Sequence, residues 1–212
     1  MPDTTWVAVV PVKEAKRAKS RLGPELAAWR SDLAAAFAAD TLSALLAATR
    51  VELVVVVGGH GLPGPLLDDE RVRTLPDPGD LNAAARDGIA WVRQHHPGRG
   101  VLVLAADLPA ATGDAVDRLL ATAPAPTRQV LPDLESAGST GLLMGPDATI
   151  DPDFGAGSLG RHRAGGAELV VASGIERLRR DVDTAEQLAQ AVGLGVGPYT
   201  RTVLETMLDP NR

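Results

Sequence analysis

The sequence contains no cysteine, which excludes disulfides, thiolate metal sites and cysteine nucleophiles. No apolar run reaches the 18 or so residues that cross a bilayer. Aromatic residues make up only 3% of the chain, which argues against stacking platforms for nucleic-acid bases. Any metal must therefore sit on carboxylate, imidazole, amide or carbonyl groups, and hard oxygen ligands of this kind suit Mg²⁺ or Mn²⁺.

Positive charge is also scarce. The net charge of -6 argues against general nucleic-acid binding, and the N-terminus lacks the basic region of a signal peptide. We therefore expect a soluble cytoplasmic protein with no nucleic-acid or membrane partner. The only lysines, Lys13, Lys16 and Lys19, all lie in residues 13–21, where five cations face one acid and the local charge is +4. This segment is either a solvated basic loop or a phosphate-binding loop, and its place after a buried-looking strand favours the second.

Strand-like and helix-like patterns alternate over the first 123 residues. Residues 6–12 and 53–57 are continuously apolar, as buried parallel strands are, and the alanine-rich residues 24–48 have apolar positions at helical spacing. This alternation predicts βαβ units and a mainly parallel sheet. The remaining predicted strands are 71–75, 101–104, 130–131, 141–144, 169–172 and 178–182, and the remaining predicted helices are 81–95, 113–123 and 184–191.

A chain of 212 residues is enough for one α/β domain with a well-buried core. We expect a nucleotide-binding half over residues 1–123 and an acceptor-binding half, with added edge strands, over residues 124–197. The C-terminal tail, residues 198–212, is expected to form a surface helix or to fray.

Open α/β sheets bind ligands beyond the carboxyl ends of their strands, so the loops at those ends carry the candidate catalytic residues. In the first loop, Lys13, Lys19 and Arg21 are candidates for binding a triphosphate, because lysines act as point charges for phosphate. Neither the dinucleotide-binding nor the P-loop glycine pattern is present there. Asp107 ends a later strand and is followed by Leu108 and Pro109; it is either a turn-forming residue or a Mg²⁺ ligand.

Asp181 and Asp183 close another predicted strand. Residues two apart in an extended chain point to the same face, so both carboxylates could reach one metal ion. The alternative is that Asp183 or Thr184 caps the helix that follows.

The glycine-rich residues 154–162 offer backbone amides and the Ser158 hydroxyl at a helix start, a geometry that binds phosphate. Gly155 permits close backbone approach, and Arg161 or His162 could add charge. The alternative is an ordinary surface loop.

Another helix opens at Asp80, which is a candidate N-cap, and we expect Asp80 and Asn82, together with Lys13, to contribute to nucleotide binding. Asn82 either reads a base edge, because an amide both donates and accepts, or belongs to an ordinary cap.

The ordered set of these motifs resembles the CofC/FbiD family, the phospholactate or phosphoenolpyruvate guanylyltransferases of coenzyme F-420 biosynthesis. Their order and spacing, rather than any single piece, carry the resemblance. The pieces are Val10–Lys13 with Ala18–Leu22, Asp80–Asn82, Asp107–Pro109, Ser139–Gly141, Phe154–Gly155 with Ser158, Arg161–His162, and Asp181–Thr184.

The resemblance implies a single nucleotidyltransferase domain of the glycosyltransferase-A-like type, a Rossmann-like three-layer α/β/α fold with a mainly parallel mixed sheet. It implies that Asp107, Asp181 and Asp183 hold Mg²⁺, as one or two ions for which Mn²⁺ can substitute. It also implies that Lys13, Lys19 and Arg21 face the GTP phosphates. Thr140, Gly155 and Ser158 would bind the phosphate of the acceptor acid.

The expected reaction is GMP transfer from GTP to phosphoenolpyruvate or 2-phospho-L-lactate, with release of pyrophosphate. A downstream transferase that takes the activated product is the expected partner. Two alternatives stay open: another enzyme of this fold, such as a sugar-phosphate or molybdenum-cofactor nucleotidyltransferase or a glycosyltransferase, and a non-catalytic GTP-binding module. The sequence does not decide between phosphoenolpyruvate, 2-phospholactate and 3-phosphoglycerate as acceptor, or between guanine and other bases.

Overall fold

A seven-stranded sheet forms the centre of the protein. The structure is a computed structural model that describes residues 5–12, 22–123 and 127–208. The strands are β1 (Trp6–Val12), β2 (Val51–Gly58), β3 (Val72–Leu75), β4 (Gly100–Leu104), β5 (Arg128–Pro132), β6 (Ser139–Met144) and β7 (Glu168–Leu169). They lie in the order β3-β2-β1-β4-β6-β5-β7.

The sheet is mixed and mainly parallel, as the sequence predicts. Four neighbouring pairs are parallel: β1–β2, β1–β4, β2–β3 and β5–β7. Only β6 runs antiparallel to its neighbours β4 and β5. The start of β6 therefore lies beside the carboxyl end of β4, where Ala105 N donates to Thr140 O at 2.8 Å.

Helices cover both faces of the sheet. They are α1 (Arg30–Ala47), α2 (Gly64–Leu67), α3 (Leu81–His95), α4 (Gly113–Ala121), α5 (Ser158–Ala164), α6 (Ala185–Leu194) and α7 (Pro198–Leu208). Alternate residues of β1 enter different cores. Ala8 and Val10 pack with α1 and α4, whereas Val7 and Val9 pack with α3 and α5. This arrangement is a three-layer α/β/α sandwich. Among the described residues, no helix is both long and apolar enough to span a membrane.

A third apolar cluster lies beside the sheet. It joins Leu22, Phe37 and Val182 to Leu204 and Met207 of α7, so residues 198–208 of the tail form a packed helix. Buried Asp40 of α1 fixes the start of α7, because its carboxylate accepts hydrogen bonds from Tyr199 N at 3.0 Å and Thr200 N at 2.9 Å.

Three predicted elements need correction. The predicted strand over residues 169–172 is reduced to the two residues of β7, Glu168–Leu169. The predicted helix over residues 24–48 is a 3-10 helix (Pro24–Trp29) followed by α1. The predicted strand over residues 178–182 is wrong: Glu176–Leu178 form a 3-10 helix, and the residues after it join no strand ladder. Contacts to the β5–β6 turn organise this segment, since Leu134 N donates to Arg179 O at 2.9 Å. In addition, β6 lies inside the sheet and not at its edge.

Candidate active site

The structure brings the Asp107 loop against the segment of Asp181 and Asp183. Val182 N donates to Asp107 O at 3.1 Å, which joins the chain after β4 to the chain before α6. Val182 is fully buried, whereas both flanking aspartates are half-buried. Two carboxylate-bearing segments predicted to cooperate therefore meet at the carboxyl edge of the parallel strands.

Thr41 of α1 holds the Asp107 loop in place, and sequence reasoning did not identify it. Its hydroxyl is fully buried, accepts from Leu108 N at 3.2 Å, and lies 2.9 Å from Phe37 O and 3.3 Å from Ala106 O. The backbone on both sides of Asp107 is thus bonded to one side chain. A threonine inside a helix carries no local signal for this role.

Thr184, and not Asp183, caps α6. The Thr184 hydroxyl accepts from Gln187 N at 3.2 Å, and the Gln187 side chain accepts from Thr184 N at 3.0 Å, forming a capping box. The Asp183 carboxylate is therefore not used as the helix cap, although its backbone N also donates to Gln187 Oε1 at 2.8 Å.

The described residues contain no cluster of three or more His, Asp or Glu side chains placed to hold a metal ion. The three aspartates therefore do not form a ready-made cage. Mg²⁺ in nucleotide enzymes generally takes one or two carboxylates together with substrate phosphates. The donor set at this edge, carboxylates on two adjoining segments, fits a site of that kind.

The predicted phosphate-binding residues Lys13, Lys19 and Arg21 lie outside the described residues. Both flanks of their segment are fixed at the same edge. Val12 pairs with Gly58, whose φ is 91°, and a Cβ at Gly58 would collide with Val12 O. On the other side, Leu22 is fully buried in the cluster that also contains Val182. Leu22, the first described residue after this segment, therefore packs in the same cluster as the residue between Asp181 and Asp183.

Thr140 is the extra residue of a β-bulge. β5 pairs Leu131 with Gly141 but Pro132 with Ser139, which leaves Thr140 without an opposite residue. Bulges often redirect side chains beside active sites. The buried Thr140 hydroxyl donates to Leu178 O at 2.8 Å, so its proton is already used. Any contact of this hydroxyl with an anion would have to replace that bond.

Asp80 and Asn82 fix the start of α3 and the glycine-rich loop. The Asp80 carboxylate accepts from Asn82 N at 3.0 Å and Ala83 N at 2.9 Å, the predicted N-cap. The Asn82 amide pairs with one backbone unit: it accepts from Phe154 N at 2.7 Å and donates to Phe154 O at 3.3 Å. Both polar atoms of the amide are therefore engaged with the backbone of this loop, and Asn82 clamps the loop to the start of α3.

Arg161 braces the same loop. Its guanidinium bonds Asp153 Oδ2 at 2.7 Å, Ala156 O at 2.6 Å and Asp153 O at 3.0 Å. Gly155 in this loop has a φ of 125°, a conformation that favours glycine. Arg161 thus maintains the shape of the loop around Gly155, and the charge it was predicted to offer an acceptor is partly offset by Asp153.

His162 is buried and does not supply the charge that the sequence suggested. Its Nε2 lies 2.9 Å from Asp153 N and its Nδ1 lies 2.9 Å from Ser139 Oγ. Burial lowers the pKa of this imidazole; Arg161 acts in the same direction, and Asp153 and Asp151 oppose it. The neutral ring is therefore favoured, and both of its nitrogens are engaged in hydrogen bonds.

Arg180 is a second residue that sequence reasoning missed. Its side chain is 2% exposed and pairs with Glu135 Oε1 at 2.7 Å, while its Nε and Nη1 are buried without a hydrogen-bond partner. This pair ties the residue before Asp181 to the β5–β6 turn. Burial alone would raise the pKa of the Glu135 carboxyl, but the Arg180 guanidinium and the hydrogen bonds to this carboxyl together outweigh burial and lower its pKa below the usual value.

One surface depression is lined by Arg163, Glu168 and Leu169, and none of the candidate residues described above lines it. The polar residues of the candidate site instead gather at the carboxyl edge of the sheet, which is where ligands of open α/β sheets bind.

Comparison with known proteins identifies the family of the chain. Residues 34–137 match the MobA-like NTP transferase domain. The chain is 44% identical to a phosphoenolpyruvate guanylyltransferase of Streptomyces scabiei, over 98% of this chain and 99% of that protein. It is 38% identical to a protein of the same name from Thermomonospora curvata, over 97% and 91% of the two chains.

Solved structures agree on the fold. A nucleotidyl transferase from a Methanothermobacter species has a TM-score of 0.58 at 20% identity, covering 96% of this chain and 99% of that one. A 4-diphosphocytidyl-2C-methyl-D-erythritol synthase also has a TM-score of 0.58, at 15% identity, covering 90% and 98%. With this fold, this site and these relatives, the chain belongs to the phosphoenolpyruvate guanylyltransferase family of nucleotidyltransferases.

Proposed function

We propose that this protein transfers GMP from GTP to the phosphate of phosphoenolpyruvate and releases pyrophosphate, with 2-phospho-L-lactate as the alternative acceptor. The observation that carries the proposal is similarity over nearly the full length to relatives that bear the name of this activity. The hydrogen bond that joins the Asp107 loop to Val182 supports it, because this bond brings together the two carboxylate-bearing segments that we propose to hold the triphosphate through a metal ion.

In the proposed reaction, an acceptor phosphate oxygen attacks the α-phosphorus of GTP. A new P–O bond forms, the bond between the α-phosphorus and its bridging oxygen to the β-phosphate breaks, and pyrophosphate leaves with that oxygen. A phosphate monoester has a second pKa of about 6 and is largely ionised at neutral pH, so no general base is needed. The remaining problem is to bring anions together and align them.

Asp107, Asp181 and Asp183 are the proposed metal ligands. A bound Mg²⁺, or Mn²⁺, would offset triphosphate charge and favour in-line geometry. Lys13, Lys19 and Arg21 are proposed to contact the GTP phosphates. Thr41 and the buried Val182 keep the two aspartate segments at a fixed separation.

The test uses purified protein with GTP, Mg²⁺ and phosphoenolpyruvate, with pyrophosphate release as the readout. We expect turnover by the wild type and a loss of about 100-fold or more in Asp107→Asn, the order that mutation of electrostatic groups produces. Asp87→Asn, a change of an exposed carboxylate on α3, is the matched control and should turn over normally. Folding of each variant is checked by thermal unfolding. Wild-type turnover in Asp107→Asn would remove this residue from the site.

Panels of nucleotides and acceptors separate the alternatives. A sugar-phosphate or molybdenum-cofactor nucleotidyltransferase would release pyrophosphate with a different acceptor, and a binding module would bind GTP without releasing any. Mass spectrometry of the product identifies both base and acid. We further propose that the reaction takes place in the cytoplasm and that a transferase consumes the activated product.

A further inference from the structure

A chain of hydrogen bonds connects the glycine-rich loop to the start of β6. Asp153 N donates to His162 Nε2 at 2.9 Å, His162 Nδ1 lies 2.9 Å from Ser139 Oγ, and Ser139 Oγ lies 2.7 Å from Ser158 Oγ. Ser139 sits where β6 adjoins the end of β4, the strand that leads to Asp107. The chain of bonds therefore ends at the edge that holds the candidate site.

The direction of this chain is fixed at the histidine. A backbone N–H can only donate, so Nε2 must present its lone pair to Asp153. A neutral imidazole then carries its proton on Nδ1, and that N–H donates to Ser139 Oγ. Burial of His162, with Phe154 packed edge-on at 5.2 Å between ring centroids, favours this neutral form.

The charged groups around His162 do not overturn this assignment. Asp153 and Asp151 favour imidazolium and Arg161 opposes it, but burial is the largest influence on the ring. Asp151 is itself paired with Arg86 at 2.6 Å. On the β5 side, Arg128 donates to Gly165 O at the end of α5, and Asp133 accepts from Gly138 N and Ala137 N.

Counting protons leaves one donor for a ligand. His162 Nδ1–H and the two serine hydroxyls supply three donors, and the two bonds that join these side chains use two of them. Either Ser139 donates to Ser158 or the reverse, and in both cases one O–H has no acceptor in this chain of bonds. Ser158 is 1% exposed, whereas Ser139 is half-buried.

We propose that Ser139 is an acceptor-binding residue: the buried Ser158 donates to Ser139, neutral His162 donates to it from the other side, and Ser139 directs its own O–H toward an anionic oxygen of the acceptor acid. The proposal rests on the proposed function, because that function supplies the anion. A phosphate or carboxylate oxygen only accepts hydrogen bonds, so it matches a site whose spare group is a donor.

Protonation of His162 would break the hydrogen bond that Asp153 N donates to Nε2. Nε2 would then carry a hydrogen that faces the N–H of Asp153, and two donors repel each other. The loop that contains Gly155 and Ser158 would lose its anchor to His162. Acceptor binding is therefore expected to weaken at acid pH for two reasons: protonation of His162 and protonation of the acceptor's own phosphate.

The kinetic test compares Ser139→Ala, Ser139→Thr and Ser43→Ala in the pyrophosphate assay. Ser139→Ala should raise the KM for phosphoenolpyruvate by about ten-fold or more, the value of one hydrogen bond to a charged group. The KM for GTP should stay within about two-fold. Ser139→Thr keeps the hydroxyl and should recover most of the loss. Ser43→Ala removes a hydroxyl bonded only to Ala39 O of its own helix, at 2.8 Å, and is the control.

Two histidine variants test the hydrogen bonds of Nδ1 and Nε2 one at a time. His162→Asn keeps a group near Nδ1 that can donate to Ser139, and His162→Gln keeps an oxygen near Nε2 that can accept from Asp153 N. Neither side chain titrates, so both variants should lose the protein's share of the acid limb in the KM for phosphoenolpyruvate. Of the two, only His162→Asn should retain a KM near that of the wild type at neutral pH.

A long-range ¹H–¹⁵N spectrum of the histidine rings tests the tautomer without any turnover. We expect the His162 signal, assigned by its loss in His162→Asn, to report Nδ1–H at pH 7.5. An Nε2–H tautomer or a cation there would overturn the inference, as would an unchanged KM for phosphoenolpyruvate in Ser139→Ala. If the wild type releases no pyrophosphate while the ring is the expected tautomer, the proposed function fails and the side-chain arrangement stands.

Discussion

Replacement of Asn82 by alanine distinguishes a loop clamp from a base reader. The change removes both ends of the amide that pairs with Phe154, at 2.7 and 3.3 Å. A partly buried backbone N–H left without a partner costs about 1–3 kcal/mol. We therefore expect a loss of about 2 kcal/mol in the free energy of unfolding, which for a chain of this size lowers Tm by roughly 4–8 °C.

The loss should be concentrated in the loop after Phe154. Amide hydrogen exchange at Phe154 N should accelerate in Asn82→Ala, because its acceptor has gone. In the pyrophosphate assay, the KM for phosphoenolpyruvate should rise by several-fold, since this loop carries Gly155 and Ser158. The KM for GTP and the preference for GTP over ATP should change little.

The opposite kinetic pattern would refute the clamp. If Asn82 reads the base, Asn82→Ala would raise the KM for GTP and relax base preference, and the exchange rate at Phe154 would stay that of the wild type. Asn82→Asp is an informative partner variant. Its carboxylate can still accept from Phe154 N but cannot donate to Phe154 O, so the clamp predicts an intermediate Tm.

Three further predictions concern buried partners. Glu135→Ala leaves the buried Arg180 charge without its carboxylate and should lower the free energy of unfolding by about 2–4 kcal/mol in chemical denaturation; the lower end of this range applies because the glutamate is half-exposed. The double variant with Arg180→Met should recover most of that loss, and no recovery would contradict the pairing. Thr41→Val keeps the shape of the side chain but leaves Leu108 N without its acceptor, so we expect the free energy of unfolding to fall by about 1–3 kcal/mol and kcat to decrease. A normal kcat would mean that the Asp107 loop keeps its position without Thr41. Because the pKa of His162 is lowered in the folded state, its contribution to stability is complete above the unfolded pKa of about 6.5 and is lost as the pH falls below that value, by up to about 1.4 kcal/mol per pH unit. The difference in unfolding free energy between wild type and His162→Asn should therefore shrink from pH 7.5 to pH 5. A constant difference would contradict a neutral ring.

The sequence alone determined the elements whose signals are local. β1 covers the predicted residues because every side chain of Trp6–Val12 is apolar or proline and all are buried. α3 has the predicted bounds, since Asp80 supplies a cap whose oxygen needs only the two nearest amides. The parallel half of the sheet followed from alternation, which reflects how a chain must cross over between parallel strands. The order of the motifs along the chain also carried the family, independently of their geometry.

Only the tertiary structure decided how distant residues are used. Asn82 meets Phe154 across 72 positions, and Thr41 meets Ala106 across 65. Residues 178–182 looked like a strand because they are partly apolar, but their backbone partners lie in the β5–β6 turn and at Asp107. His162 looked like a spare cation, but burial lowers its pKa and both ring nitrogens have hydrogen-bond partners. Helix caps and strand periodicity depend on residues that are close along the chain, so they can be predicted from the sequence. The partner and the protonation of a buried polar group depend on which elements the fold packs against it, and no local pattern contains that information.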